Sequence, residues 1–251
     1  MKTTLIVGNW KMNGTLASVI ELVEGIKVGY RIGHFENTEL VVCPPYIFLM
    51  EVAGMLEGSY VSLGAQNVCD QVVGAFTGEI SSAMLKESGC RYVIVGHSER
   101  RAFYLESDQL VADRFAMAFK SGLTPILCVG ESLKEREEGL TESVVLRQLE
   151  AVIESQGILV MADSVIAYEP VWAIGTGKVA TPDQAQAVHR FIRNKLAELD
   201  PVVAEKVQIL YGGSMNPKNA KDLLSQPDID GGLIGGGALK ASDFLAIAQS
   251  I

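Results

Sequence analysis

One unit repeats along this chain: a short apolar segment, a polar or glycine-containing turn, and then a stretch whose apolar residues have helical spacing. The apolar segments have the length and composition of buried strands. The unit occurs eight times. Strands are predicted at 5–9, 40–43, 61–65, 92–95, 124–129, 165–168, 207–211 and 232–234. Helices are predicted at 16–28, 47–56, 81–86, 108–120, 141–154, 182–199, 217–224 and 241–247.

Strands that are apolar throughout, each followed by a helix, indicate a parallel sheet covered by helices, because such strands are buried on both faces. Eight units of about thirty residues fit a closed (β/α)8 barrel better than an open doubly wound sheet. The open sheet stays as the alternative, since periodicity does not show closure. Without a linker or a break in composition, we predict an α/β fold with a single barrel domain over 1–251.

Two predicted helices have a chemically marked start. Thr181 and Pro182, followed by Gln184, form a capping box with proline at the first helical position. Asn216 and Pro217 repeat the cap-then-proline arrangement and predict a helix from 217.

The composition excludes several classes of partner. A net charge of -9 argues against nucleic acid and anionic membranes, both of which need clustered Lys and Arg. No apolar run is long enough for a signal peptide or a membrane span. The four cysteines lie far apart without a C-x-x-C pair, so buried free thiols are expected. We therefore expect a cytoplasmic protein with no membrane or nucleic-acid partner.

Reactive residues are concentrated where the predicted strands lead into helices, which is where ligands bind in either architecture. Taken singly, each has an ordinary explanation as a solvated lysine, a capping or core histidine, or a tight-turn glycine. Their shared location favours a site. They are Asn9 and Lys11 after the first strand, His97 and Glu99 after the fourth, Glu169 after the sixth, Ser214 after the seventh, and Gly235 and Gly236 after the eighth.

Glu169 ends one apolar run and begins a distinctive loop. Pro170 restricts its own φ and disfavours the helical region at Glu169, while Gly175 and Gly177 supply backbone freedom further along. A carboxylate followed by such a loop suits a base with a lid, which we place at about 170–178. The alternative is an ordinary surface loop with a solvated carboxylate.

The glycines after the seventh and eighth strands suit a phosphate group, because backbone without Cβ can approach it closely and present N–H groups. Loops at these two positions form the usual phosphate site of (β/α)8 barrels. The P-loop and dinucleotide signatures are incomplete, and neither an H-E-x-x-H nor an EF-hand spacing occurs. We therefore expect no cofactor and no catalytic metal.

Several motifs resemble those of the triosephosphate isomerase family, in the same order across nearly the whole chain. They are Gly8-Asn9-Trp10-Lys11-Met12-Asn13, Gly64-Ala65-Gln66-Asn67, Gly74-Ala75-Phe76-Thr77-Gly78-Glu79, Gly96-His97-Ser98-Glu99-Arg100-Arg101, Ala167 to Gly177, and Tyr211-Gly212-Gly213-Ser214. The histidine motif and the lid motif are each highly specific.

The resemblance implies an isomerase that interconverts dihydroxyacetone phosphate and D-glyceraldehyde 3-phosphate through an enediol, without a cofactor. It implies a role for each matching residue. Glu169 would be the base, His97 the electrophile, Lys11 and Asn9 substrate-facing polar groups, and Glu99 a supporting carboxylate. The phosphate would be held by Gly175, Ser214, Gly235 and Gly236.

The resemblance also implies a homodimer, in which a loop at about 66–79 enters the neighbouring subunit and brings Thr77 close to its Lys11. The chain departs from the family pattern at Gly237 and Ala238, where Ala and Ser are usual. We expect that departure to leave the phosphate end less constrained.

Two other functions are weighed against this one. A Schiff-base aldolase would use a lysine within a barrel strand, whereas Lys11 follows a strand end. A catalytically inactive barrel kept for binding would be expected to have lost Lys11, His97 or Glu169, and all three are present.

Overall fold

The computed structural model describes residues 2–33, 35, 37–175, 177 and 179–250. In that part of the chain, eight parallel strands follow one another in sequence order and close into a barrel. Closure is made by β1 pairing with β8, where Leu5 lies opposite Gly231. The predicted closed barrel is therefore confirmed, and the open sheet is excluded. The strands are β1 (Thr4–Asn9), β2 (Thr38–Cys43), β3 (Ser62–Ala65), β4 (Tyr92–Val95), β5 (Thr124–Val129), β6 (Val165–Tyr168), β7 (Gln208–Tyr211) and β8 (Gly231–Ile234).

Helices surround the barrel, and the described residues form more of them than the eight predicted. Three short ones, Ser98–Phe103, Leu133–Glu137 and Pro201–Lys206, were missed because each shares a strand-to-strand connection with a longer helix, and only one helix was predicted per connection. The helices are α1 (Leu16–Ile32), α2 (Leu49–Leu56), α3 (Ser82–Glu87), α4 (Ser98–Phe103), α5 (Asp108–Lys120), α6 (Leu133–Glu137), α7 (Thr141–Gln156), α8 (Pro182–Leu199), α9 (Pro201–Lys206), α10 (Ala220–Leu224) and α11 (Ala241–Ala248).

One of the two marked helix starts is right and the other is wrong. Thr181 caps α8 through the predicted capping box, with Pro182 in the first turn. The helix predicted from 217 begins only at Ala220. The Asn216 side chain instead accepts from the Lys218 N–H at 2.9 Å, and Asn219 bonds back to the Asn216 N–H at 2.8 Å. These side-chain bonds hold a turn ahead of the helix.

The core has two layers, and every strand except β3 contributes to both. Alternate side chains such as Leu5 and Val7 fill the barrel interior, whereas Ile6 between them packs outward under the helices. Burial on both faces accounts for the continuous apolar runs in the sequence. The four cysteines are free and buried, as predicted. None of the helices in the described ranges is long and apolar enough to cross a membrane.

The carboxyl ends of the strands all lie at one end of the barrel, and the two segments predicted to be functional loops begin there. Residues 66–79 connect β3 to α3 without a helix or strand. After β6 the chain forms a 3-10 turn at Val171–Ala173. Of the predicted lid, Thr176 and Lys178 lie outside the described residues.

Candidate active site

A cavity of about 390 Å³ opens at the carboxyl ends of the strands. It brings together eight of the nine residues predicted for the site. The ninth, Glu99, does not line the cavity but forms an ion pair with Lys11, which does. The eight are Asn9, Lys11, His97, Glu169, Gly175, Ser214, Gly235 and Gly236.

Glu169 is buried at the end of β6, with only 1% of its surface exposed. Its backbone N–H donates to the Val129 carbonyl at 2.7 Å, so the end of β5 fixes its position. Gly130 permits this approach, since a Cβ there would lie 1.8 Å from the Glu169 carbonyl oxygen. The carboxylate accepts from the Ser98 N–H at 2.9 Å and lies 2.9 Å from His97 Nε2.

The charge of Glu169 is set by opposing influences. Burial raises the pKa of the carboxyl group, but His97, the Ser98 N–H and the Cys128 thiol outweigh burial and hold the pKa below its ordinary value. Glu169 is therefore a carboxylate at neutral pH, in a site largely closed to water. Burial alone would make Glu169 a stronger base than a carboxylate in solution, but the groups that donate to it offset that effect.

His97 precedes α4 as its N-cap. Its Nδ1 accepts from the Glu99 N–H at 3.2 Å, and its Nε2 faces Glu169. Burial lowers the pKa of the ring, but the Glu169 and Glu99 carboxylates together raise it above its ordinary value. In the neutral ring the hydrogen lies on Nε2, because a hydrogen on Nδ1 would face the Glu99 N–H. The capping role and the site role thus fall on the same residue.

Lys11 is held by its backbone as well as by its side chain. Its φ of 52° is in the left-handed region, which is uncommon for a residue with a side chain. The Asn9 side chain accepts from the Lys11 N–H at 3.0 Å, and Gln66 Nε2 donates to the Lys11 carbonyl at 2.9 Å. The ammonium group bonds to Glu99. Gln66 was not assigned a role from the sequence, although it directly follows the β3 strand end.

Small residues from the loops after β7 and β8 also line the cavity. Gly213 cannot be replaced without movement, because a Cβ there would lie 2.3 Å from the Tyr211 hydroxyl. Ser214 Oγ donates to the Ala173 carbonyl at 2.7 Å, which links the loop after β7 to the segment after Glu169. Gly237 also lines the cavity, whereas Ala238 is fully buried beside it.

Glu131 is a second residue near the site that sequence reasoning missed. It is fully buried and lies two residues beyond the end of β5. Its carboxylate accepts from the Tyr168 hydroxyl at 3.1 Å and from Trp172 Nε1 at 2.9 Å. These donors flank Glu169 in sequence. The strand-end rule that selected Glu169 would also have selected Glu131, but no recognised motif covers it.

Fold and cavity together define a (β/α)8-barrel enzyme equipped for acid–base chemistry. The sequence matches the family model described as triosephosphate isomerase over residues 4–251. The chain therefore belongs to the triosephosphate isomerase family, and it is an isomerase. This confirms the family, the fold and the class of enzyme predicted from the motifs.

Relatives that carry the name triosephosphate isomerase match over the full chain. The protein of Thiobacillus denitrificans is 55% identical over 250 residues, covering 100% of this chain and 99% of the relative. That of Nitrosococcus oceani is 52% identical with the same coverage. That of Hydrogenovibrio crunogenus is 55% identical over 251 residues, covering 100% and 98%.

Proposed function

We propose that this chain interconverts dihydroxyacetone phosphate and D-glyceraldehyde 3-phosphate, with Glu169 as the base. One observation carries the assignment: the Glu169 carboxylate is buried at a strand end, in the reaction cavity and 2.9 Å from an imidazole nitrogen. Isomerisation removes a proton from the carbon beside a carbonyl and returns it to the neighbouring carbon. One base on one face of the substrate can serve both carbons.

In the first step the C–H bond breaks and its proton passes to a Glu169 oxygen. The electron pair moves into the new C=C bond, and the carbonyl oxygen becomes the oxygen of an enediolate. In the second step the hydroxyl proton on the neighbouring oxygen passes to the enediolate oxygen, the oxygen that loses it becomes the new carbonyl oxygen, and the Glu169 carboxylic acid returns its proton to the former carbonyl carbon. To take the proton in the first step, the carboxylate must exchange its contact with the Ser98 N–H for one with the substrate carbon. This exchange requires a rotation about the side-chain bonds of Glu169.

His97, Lys11 and Asn9 would meet the negative charge that develops on the substrate oxygens. A neutral imidazole with hydrogen on Nε2 can donate to that oxygen, and the Lys11 ammonium adds positive charge. By analogy with oxyanion holes, one such donor contributes about 3 to 4 kcal/mol to transition-state stabilisation. Glu99 would act through Lys11, whose ammonium group it holds in place.

The phosphate would lie against Ser214, Gly235 and Gly236, with Gly175 of the lid above it. A Cβ on Gly236 would meet nothing within 4 Å, so this glycine borders open space in the cavity. Backbone N–H groups at such turns suit a phosphate, and a 3-10 turn at Gly236–Leu239 adds its favourable N-terminal dipole. Closure of the lid over about 170–178 would exclude water from the enediolate.

The chain would work as a homodimer. Large apolar side chains are exposed in the loops after β1 to β4, which are neighbouring strands, and monomers rarely expose a large apolar patch. Residues 66–79 lie among them, and Thr77 is exposed. We propose that Thr77 approaches the partner's reaction cavity. The exposed apolar side chains include Met12, Ile47, Val73, Phe103 and Leu105.

Four free buried thiols are consistent with a reducing compartment, and we propose the cytoplasm.

The direct test is to supply dihydroxyacetone phosphate without added cofactor or metal and to follow the appearance of glyceraldehyde 3-phosphate. Wild-type turnover together with a large loss in Glu169→Asp supports the proposal. Trapping of substrate on the protein by borohydride would instead indicate a Schiff-base aldolase. Absence of turnover in the wild type would indicate a barrel kept for binding.

A further inference from the structure

Outside the reaction cavity, a buried carboxylate joins the start of the lid to a helix of the barrel surface. Glu131 accepts hydrogen bonds from Tyr168 and Trp172, and its backbone carbonyl accepts from the Val171 N–H at 3.1 Å. These three donors lie on both sides of Glu169 in the chain. The position of Glu131 therefore constrains the backbone on either side of the proposed base.

Arg136 of α6 contacts two members of this cluster at once. Its Nη1 lies 3.2 Å from Glu131 Oε1, and its guanidinium carbon lies 4.6 Å from the centroid of the Trp172 ring. Among the ion pairs of the described residues, Arg136 is the one cation that contacts Glu131. The Glu131 side chain is 0% exposed and that of Arg136 is 26% exposed, so the pair is largely shielded from water.

We propose that Arg136 is a positioning residue for the catalytic base. It neutralises the buried Glu131 carboxylate and stacks on Trp172, and so fixes the segment from Tyr168 to Trp172 that carries Glu169. The inference rests on the proposed role of Glu169. It adds a residue that lies in neither the cavity nor the lid.

Both the positive charge and the planar shape of the Arg136 guanidinium are needed. A buried carboxylate that loses its counter-ion becomes strongly destabilising, so Glu131 would move or draw in water. The planar guanidinium can also stack on an indole ring while donating sideways to a carboxylate, whereas an ammonium group is a compact charge that does one or the other. Glu169 itself does not touch Arg136, so any effect must pass through Glu131 and Trp172.

The kinetic test replaces Arg136 by Gln and by Lys. Since a small misplacement of the base slows proton transfer, we expect kcat to fall by about tenfold in Arg136→Gln. KM should change little, because Ser214, Gly235 and Gly236 are untouched. Arg136→Lys keeps the charge and is expected to recover part of the lost kcat. The matched control is Lys134→Gln in the same helix, whose side chain is 82% exposed, and its kcat should equal the wild-type value.

A spectroscopic readout separates positioning from general damage. The chain has two tryptophans; Trp10 is 1% exposed, whereas Trp172 is half-buried. Acrylamide should therefore quench mainly Trp172. Stronger quenching and a red-shifted emission are expected in Arg136→Gln, with a smaller change in Arg136→Lys and none in Lys134→Gln. If Arg136→Gln does not fold, the Arg136→Lys kinetics and quenching decide the question.

The proposal is overturned if the Arg136 variants keep wild-type kcat, or if kcat falls with no change in Trp172 quenching. It is also overturned if KM rises as much as kcat falls. Failure of the proposed function looks different: wild-type protein would then show no isomerase activity, while the quenching series would still report whether Arg136 orders Trp172.

Discussion

His97 Nε2 lies 2.9 Å from a carboxylate oxygen of Glu169, and both side chains are almost fully buried. Each group therefore alters the protonation of the other. His97 is the main influence that lowers the pKa of Glu169 against the effect of burial, and Glu169 raises the pKa of His97. The pair therefore keeps Glu169 ionised to a lower pH than an ordinary glutamate.

Replacing His97 should shift the acid limb of the plot of kcat/KM against pH. As the proposed base, Glu169 must be ionised to act, so activity is expected to be lost as the pH falls through its pKa, which in the free enzyme lies below the ordinary value. In His97→Asn the cap on the Glu99 N–H is kept, because Asn is a good N-cap, but the Nε2 donor is removed. Burial then dominates, the pKa of Glu169 rises, and the limb of kcat/KM shifts to higher pH.

The measurement for His97→Asn is kcat/KM against pH for both proteins with one substrate, so that ionisation of the substrate phosphate near pH 6 contributes equally. Loss of one donor to the developing oxyanion should also lower kcat by about 10² to 10³-fold. An acid limb that stays in place would contradict the coupling between His97 and Glu169.

Shortening the base tests its placement. Glu169→Asp withdraws the carboxylate by about 1 Å, and turnover should fall on the order of 100-fold. Binding should be affected less, because the groups proposed for the phosphate are unchanged. The check is kcat together with the inhibition constant for inorganic phosphate. Near-normal turnover would remove Glu169 from the role.

Much of the fold could be predicted because each strand is buried on both faces. The apolar runs located β4, β5 and β6 to the residue, and the strand-end rule placed Asn9, His97 and Glu169 in one cavity. What periodicity could not supply was closure, which depends on the pairing of Leu5 with Gly231 at opposite ends of the chain.

Contacts between loops could not be predicted from the sequence for a related reason. Glu131 and Arg136 lie in the connection after β5 and Trp172 lies in the one after β6, so the three meet only after these strands have paired. Gln66 could be seen in a motif, but its donation to the Lys11 carbonyl depends on the left-handed backbone of Lys11. Neither relationship has a signature in local spacing.

Removing the Lys11 side chain should affect both binding and chemistry. Lys11 lines the cavity and supplies its positive charge, so Lys11→Ala removes that charge and leaves the Glu99 carboxylate without its lysine partner. We expect a higher KM, weaker inhibition by phosphate and a lower kcat, with a combined loss of about 3 kcal/mol or more in kcat/KM. Unaltered phosphate inhibition would count against the placement of Lys11.

The proposed dimer predicts a native mass twice the 27.0 kDa of one chain. Val73, on the loop 66–79, is 84% exposed, and Val73→Asp should dissociate the dimer because it places a charge in an apolar interface. Activity should fall with it. Leu159→Asp is the matched control, since Leu159 is 70% exposed but precedes β6 at the other end of the barrel. Light scattering after gel filtration measures the native mass of both variants. A fully active monomer would contradict the proposal.

His189 predicts how stability depends on pH. It is fully buried between Tyr168 and Tyr211, and burial lowers its pKa from 6.5 to about 3. Below pH 6.5 the unfolded chain binds a proton at this position that the folded protein does not bind until about pH 3. The free energy of unfolding therefore falls as the pH falls, and between pH 7 and pH 5 this one group accounts for about 2 kcal/mol.

The test is His189→Asn, in which the side chain can still donate to the Asp228 carbonyl but does not titrate. Its free energy of unfolding should fall by about 2 kcal/mol less than that of the wild type over the same pH range. Urea unfolding at both pH values measures the difference, in which His97 and the carboxylates cancel because both proteins contain them. Equal losses in the two proteins would show that His189 is not held neutral.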